Sequence, residues 1–101
     1  MQEILARAQA MQSKLADVQR GLALRTVEAN AGGGMVTAVA TGALRIRELR
    51  IEPELLASGD REMIQDLTAA AVNAALSAAE RMVQEEMQRV AGLPLPGFGQ
   101  R

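Results

Sequence analysis

Basic side chains are the groups in this sequence whose chemistry and spacing suggest a binding function. Arg7 and Lys14 are separated by seven positions, which places them on one side of a helix, and Arg20 ends the same segment. Cationic groups in such a row can bind the phosphates of a polyanion and release its counterions. The same three residues can also serve only to keep an apolar helix soluble, and the sequence leaves both interpretations open.

Most other chemistry lacks its residue types. The chain of 101 residues has no histidine, cysteine, tryptophan or tyrosine, and Phe98 is its one aromatic residue. Without thiolates and imidazoles it cannot build the usual structural zinc site, a disulfide or a nucleophile–histidine pair. Stacking of bases on aromatic rings is excluded as well. We therefore expect no enzyme, no cofactor and no small-molecule substrate.

The net charge is close to zero but unevenly distributed. The formal charge is −1 overall, +1 over residues 1–20, +2 over residues 21–51 and −5 over residues 52–91. A polyanion should therefore contact the first half of the chain, or the few arginines late in the second half. Because no apolar run reaches signal-peptide or membrane-spanning length, we expect a cytoplasmic protein without a membrane partner.

Two long helices are predicted, one at each end of the chain. In residues 2–20 the apolar side chains alternate in steps of four and three, which is a heptad seam, and Gly21 should end the helix. Asp60 is the predicted N-cap of a second helix that runs to Ala91, contains no glycine or proline, and ends at Gly92. The seam residues of the first helix are Ile4, Ala8, Met11, Leu15, Val18 and Leu22.

Between the helices, glycines divide the chain into three short segments. The glycines at 32–34 and Gly42 separate residues 22–31, 35–41 and 44–52, which predicts a three-stranded antiparallel meander. The glycine run lacks the residues of a phosphate-binding loop, so a hairpin turn is favoured. In the third strand the apolar residues change parity, which predicts a bulge near Arg47-Glu48 or a strand buried on both faces. Pro53 ends the strand, and one helical turn should follow at 54–56.

The predicted lengths argue for a dimer. A second helix of about 46 Å must overhang a compact body whose radius of gyration would be about 13 Å. The overhang would expose Met82, Val83, Met87 and Val90, beside an acidic solvated surface on which Glu85 pairs with Arg89. Exposed apolar stripes of this size are unusual on a monomer. Each helix should pack on the other helix of its own chain or on a second copy, and we predict a homodimer with projecting arms.

Several segments together resemble a known family. They are residues 8–15 (AQAMQSKL), 32–39 (GGGMVTAV) with Gly42, 51–56 (IEPELL), 66–75 (DLTAAAVNAA) and 95–98 (LPGF). In this order and spacing they resemble the YbaB/EbfC family of small bacterial nucleoid-associated DNA-binding proteins. The resemblance implies an α+β fold, with an α-β-β-β-α protomer and a tweezer-like homodimer with long projecting helices. We expect one such domain over residues 1–91 and a flexible Gly/Pro-containing tail over residues 92–101.

The resemblance also implies a function. It implies a cytoplasmic, nucleoid-located protein whose partners are double-stranded DNA and a second copy of itself. Such a protein shapes or compacts the nucleoid, with modulation of transcription as a further expectation. Low sequence specificity is expected because no helix-turn-helix, zinc-finger or basic-zipper pattern is present. The alternative is a helical protein–protein interaction module that binds DNA only incidentally.

The candidate DNA contacts follow from the same resemblance. Lys14 lies inside a matched segment, whereas the other candidates are assigned by their position on the predicted arms. Those others are Arg7, Arg20, Arg81 and Arg89. The arginines of the third strand, Arg45, Arg47 and Arg50, are an alternative contact surface that the sequence does not exclude.

Overall fold

The computed structural model describes residues 2–92 and arranges them as helix, three strands, short helix and long helix. The elements are α1 (Gln2–Leu24), β1 (Thr26–Ala31), β2 (Val36–Thr41), β3 (Ile46–Ile51), α2 (Pro53–Ser58) and α3 (Arg61–Ala91). This order confirms the predicted α+β class and the α-β-β-β-α protomer. Nearly all of the predicted tail lies outside the described residues.

α1 is longer than predicted, because it does not stop at Gly21. The helix continues to Leu24, and β1 therefore begins several residues later than expected. Leu22 is buried, and its carbonyl oxygen accepts hydrogen bonds from the backbone N–H groups of Arg25 and Gly42, each at 3.1 Å. These contacts offset the roughly 0.5–1 kcal/mol that a glycine costs inside a helix.

The three strands form an antiparallel sheet in the order β1-β2-β3, as the meander prediction requires. The three glycines at 32–34 join β1 to β2 and all have positive φ angles, between 66° and 100°. Glycine adopts such angles without strain, which explains its use at this turn. The hairpin interpretation of the glycine run is confirmed.

β3 contains the bulge that its apolar pattern predicts. Ala40 pairs with Ile46 and the preceding Val39 pairs with Glu48, so Arg47 is an extra residue in β3. The extra residue changes the alternation of the strand, and apolar residues on both sides of it then share one face of the sheet. The β3 residues on this face are Ile46, Leu49 and Ile51.

α3 covers the same face of the sheet with small side chains. Ala71, Ala75 and Ala79 recur at every fourth position and are fully buried in a cluster with β2 residues such as Val36. Alanines allow the helix axis to approach the strands closely. α3 lies mainly over β1 and β2. The apolar face of β3 therefore stays partly open, with Ile46 and Leu49 37% and 39% exposed.

The described chain is far longer than a compact domain of its size. Its Cα radius of gyration is 19.6 Å and its extents are 67 × 25 × 14 Å, whereas a compact domain of about 100 residues has a radius of gyration near 13 Å. The 31 residues of α3 account for about 46 Å of this length. The prediction of long helices that extend beyond the sheet is confirmed.

The C-terminal part of α3 is better covered than predicted. Met82 is buried, and the other apolar residues expected on the overhang are half-buried. The reason is that the last turns of α1 lie beside this part of α3, where Val18 and Leu22 line a shallow pocket together with Glu86. The C-terminal part of α3 therefore packs on the other long helix of its own chain, which is one of the two alternatives that the sequence leaves open. The expectation that Met82 is exposed is wrong.

Candidate nucleic-acid interface

The exposed cations of α1 form the first part of the candidate interface. Arg7 and Lys14 are both exposed, and helical geometry places them within about 20° of one another around the axis and about 10 Å apart along it. Within residues 2–92 neither side chain forms an ion pair. Both charges are therefore available to an external anion.

Arg20 does not join this pair. It forms an ion pair with Asp17, three residues earlier on the exposed surface of α1. Six positions separate it from Lys14, so it lies about 120° away around the helix axis. The structure thus brings Arg7 and Lys14 to one side of α1, which we call the arm. Arg20 lies on another side of α1, and its charge is partly compensated by Asp17.

The two arginines near the end of α3 differ from each other. Arg81 is exposed and has no ion-pair partner in the described part of the chain. Arg89 donates two hydrogen bonds to the carboxylate of Glu86, one of them from Nε at 3.3 Å. The expected pair with Glu85 is wrong. Glu86 is the carboxylate on the side of α3 toward α1, where its side chain is only 16% exposed and better placed than Glu85 to hold the guanidinium.

Glu86 also links the two long helices, a contact that the sequence analysis missed. The Arg25 guanidinium lies 3.5 Å from the Glu86 carboxylate, across the gap between the end of α1 and α3. The pKa of Glu86 is lowered, first by the hydrogen bond from Arg89 and then by the charges of Arg89 and Arg25, while partial burial acts in the opposite direction. No spacing rule connects residues so far apart in the sequence, and their contact follows only from the packing of the helices.

The arginines at and beside β3 differ in whether a carboxylate neutralises their charge. Arg50 contacts Glu48 at 2.7 Å and Glu28 at 3.3 Å, and these hydrogen bonds raise its pKa. Arg45 and Arg47 are exposed at the other end of β3, and neither has an ion-pair partner in the part of the chain that the structure describes. The alternative contact surface named from the sequence is therefore reduced to these two residues.

The described residues define a small helix–sheet–helix protein with exposed, uncompensated cations on its first helix. Residues 1–93 match the YbaB/EbfC DNA-binding family. The chain belongs to this family, which is a DNA-binding family and not an enzyme family. No helix within residues 2–92 is both long enough and apolar enough to cross a membrane.

Individual relatives support the assignment. A nucleoid-associated protein of Acetivibrio thermocellus is 48% identical over 89 residues, which cover 88% of this chain and 79% of that protein. A nucleoid-associated protein of Pelotomaculum thermopropionicum is 44% identical over 99 residues, covering 97% and 94%. The crystal structure of the uncharacterized protein HP0035 from Helicobacter pylori shares the fold, with a TM-score of 0.77 and 21% identity over 91% of this chain and 97% of that one.

Proposed function

We propose that this protein is a nucleoid-associated protein that binds double-stranded DNA as a homodimer with low sequence specificity, and so shapes or compacts the nucleoid. The observation that carries the proposal is the pair of uncompensated cations, Arg7 and Lys14, on one side of an arm that stands largely free of the body. Membership of a DNA-binding family and relatives named as nucleoid-associated proteins support it. We place the protein in the cytoplasm, on the nucleoid, where an effect on transcription would follow from its occupancy of DNA.

The homodimer is proposed from the apolar surface that one chain leaves open. Leu22 is the one buried residue of α1, and at the free end of the arm Ile4 and Leu5 are 67% and 62% exposed. On β3, Ile46 and Leu49 add partly open apolar surface. The core itself is thin, since Val36 is its largest fully buried side chain. Exposed apolar area around a small core favours association, and a second copy is the simplest partner.

Low specificity is proposed from the kind of contact available. Arginine and lysine on a helix surface neutralise phosphates, and phosphate contacts position a protein without reading the sequence. If a dimer makes about six such contacts, the logarithm of affinity should fall with the logarithm of salt concentration at a slope near −5. Unlabelled duplex of unrelated sequence should compete almost as well as the labelled duplex.

Charge reversal on the arm tests the proposal. Arg7→Glu and Lys14→Glu, singly and together, should each weaken binding of a labelled duplex, and the double variant should lose at least tenfold in affinity at moderate salt. Arg61→Glu is the matched control, because Arg61 is exposed near the start of α3 and away from α1. Sedimentation should give a mass about twice the 10.7 kDa of one chain for the wild type and all variants.

The result also separates the proposal from its alternative. If the double variant stays dimeric and retains DNA as well as the wild type, the assignment of the arm is wrong. A wild-type dimer that does not bind duplex would instead favour the protein-interaction module, for which the acidic excess late in α3 would be the docking surface, where three glutamates accompany two arginines. These residues are Glu80, Glu85 and Glu86, with Arg81 and Arg89.

A further inference from the structure

The loop between β2 and β3 holds a leucine in a backbone conformation that suits glycine. The loop consists of residues 42–44 and is closed by the N–H of Thr41, which donates to the carbonyl of Arg45 at 2.9 Å. Leu44 donates its N–H to the carbonyl of Thr41, also at 2.9 Å, and has a φ of 61°. Three-residue hairpin loops commonly place their last residue in this left-handed region, where a leucine is strained. Within residues 2–92, Leu44 is the one residue other than glycine with a positive φ.

The fold neither relieves this strain nor compensates it with burial. The side chain of Leu44 is 46% exposed, so it gains little from packing within its own chain. The loop cannot relax easily, because the N–H of Gly42 donates to the carbonyl of Leu22 at 3.1 Å and to that of Arg25 at 3.2 Å. A strained, exposed apolar residue on a fixed loop is a reason to look for a contact outside the chain.

The charges around the loop indicate what that contact is. Arg45 follows Leu44 directly and Arg47 is the bulged residue of β3, and both guanidinium groups are exposed without an ion-pair partner in the described chain. Arg50, on the same strand, is instead held by two glutamates. The uncompensated positive charge of β3 is therefore concentrated beside the exposed leucine.

We propose that the β2–β3 loop is a second DNA-contact site, in which Leu44 inserts between base pairs in the minor groove while Arg45 and Arg47 bind the flanking phosphates. The proposal rests on the proposed DNA-binding function and adds a contact that the arms do not supply. Apolar side chains inserted in this way unstack a base step and bend the duplex by roughly 20–90°. The bound DNA should therefore be bent, with the bend depending on one side chain.

The face of β3 that carries Ile46 and Leu49 is part of the surface proposed for the homodimer, whereas a second copy of the chain fits the β2–β3 loop less well. The buried centre of a protein–protein interface is depleted in charged residues. A two-fold contact centred on the loop would bring Arg45 and Arg47 of one copy close to the same residues of the other, and like charges would oppose association. DNA instead provides an apolar base stack between two rows of phosphates, which matches an exposed leucine flanked by arginines.

A bending assay with a glycine variant tests the proposal. The probe is a duplex of about 30 base pairs with a donor and an acceptor dye at its ends, titrated with wild type and with Leu44→Gly. Energy transfer should rise when the wild type binds and stay near the free-DNA value when Leu44→Gly binds, with affinity reduced roughly tenfold by the loss of leucine burial. Because glycine removes the backbone strain, Leu44→Gly should melt at or above the wild-type temperature.

Two further variants complete the experiment. Arg45→Gln with Arg47→Gln should reduce the slope of log affinity against log salt by about 0.9 for each phosphate that the protein no longer neutralises. Leu56→Ala is the matched control: Leu56 is 56% exposed on α2, which follows the opposite end of β3, and the variant should bend DNA like the wild type.

The outcomes distinguish the two proposals. Wild-type protein that fails to bind the duplex contradicts the proposed function itself. Wild type that binds and bends DNA while Leu44→Gly bends it equally overturns the loop proposal alone. A Leu44→Gly variant that becomes monomeric in sedimentation also overturns it, because the leucine would then serve a contact between copies.

Discussion

Replacing Gly42 with alanine should destabilise the protein strongly, although the change adds only one methyl group. A Cβ atom at this position would lie 2.1 Å from the carbonyl oxygen of Leu22 and 2.7 Å from its carbonyl carbon. Both are main-chain atoms of α1, so no side-chain rotation can remove the clash. The β2–β3 loop would have to move away from α1, and the hydrogen bonds from Gly42 to Leu22 and Arg25 would lengthen or break.

The size of the effect can be estimated from the clash and from the broken hydrogen bonds. Overpacking a tight site costs about 1–3 kcal/mol, and breaking a backbone hydrogen bond costs about 0.5–1.5 kcal/mol. The free energy of unfolding should therefore fall by roughly 2–4 kcal/mol, out of the roughly 5–15 kcal/mol typical of a domain. At about 4–8 °C per kcal/mol for a chain of this size, the melting temperature should fall by roughly 8–32 °C.

Thermal unfolding followed by circular dichroism measures this directly, at one protein concentration because the melting temperature of an oligomer depends on concentration. Gly21→Ala is the matched control, since a Cβ at Gly21 meets no atom within 4 Å and Gly21 lies inside α1. The free energy of unfolding of Gly21→Ala should rise by roughly 0.5–1 kcal/mol, because alanine is a better helix former than glycine. If the melting temperature of Gly42→Ala equals that of the wild type or that of Gly21→Ala, the close approach of the loop to α1 is not a constraint on the fold.

Three further perturbations have defined outcomes. Asp60→Ala should lower the free energy of unfolding, measured in urea, by about 1 kcal/mol, because the Asp60 carboxylate caps α3 by accepting the backbone N–H of Met63 at 3.1 Å. Asp60→Asn should keep most of this stability, because the asparagine side-chain oxygen can accept the same hydrogen bond. Ala75→Leu should cost at least about 1–3 kcal/mol, since Ala75 is fully buried between α3 and the sheet, whereas Ala74→Leu on the exposed side should be nearly neutral. The folded-state pKa of Glu86 is lowered, so its contribution to stability is present above its unfolded-state pKa and is lost as the pH falls through the lowered value. The urea midpoint of the wild type, measured from neutral to acidic pH, should therefore include a fall that comes from protonation of Glu86. Glu86→Gln should lack this part of the fall. If the variant and the wild type show the same dependence of the urea midpoint on pH, Glu86 does not make this contribution to stability.

Features that depend on neighbouring residues were predictable from the sequence. The sequence predicts Asp60 as an N-cap because it precedes the first apolar residue of a long periodic segment, and in the structure Asp60 caps α3. The apolar residues on either side of Arg47-Glu48 have opposite parity, which a regular strand cannot place on one buried face, and this pattern predicts a bulge where the structure has Arg47 as the extra residue. Both predictions need only local geometry and the condition that apolar side chains are buried together.

Features that depend on packing between distant segments were not predictable. Gly21 is a helix breaker by propensity, but its effect is overridden because the next residue packs against the β2–β3 loop. Arg89 pairs with Glu86, three residues earlier, rather than with Glu85, and the sequence does not choose between them because spacings of three and four both bring charges together on a helix. For the candidate interface, the seven-residue spacing of Arg7 and Lys14 was readable, whereas the compensation of Arg20 and Arg50 by acidic neighbours required the structure.

The end of α1 couples the two proposed DNA contacts. The hydrogen bonds from Gly42 join the β2–β3 loop to the carbonyls of Leu22 and Arg25 at the end of α1. Along the helix axis, Lys14 lies about 12 Å and Arg7 about 22 Å from Leu22. One turn of B-DNA spans about 34 Å, so these axial distances are compatible with a single duplex that makes both proposed contacts. In the complex that we propose, a duplex held by both contacts would adopt an angle set by the junction of the arm and the loop, and this junction would bend the DNA.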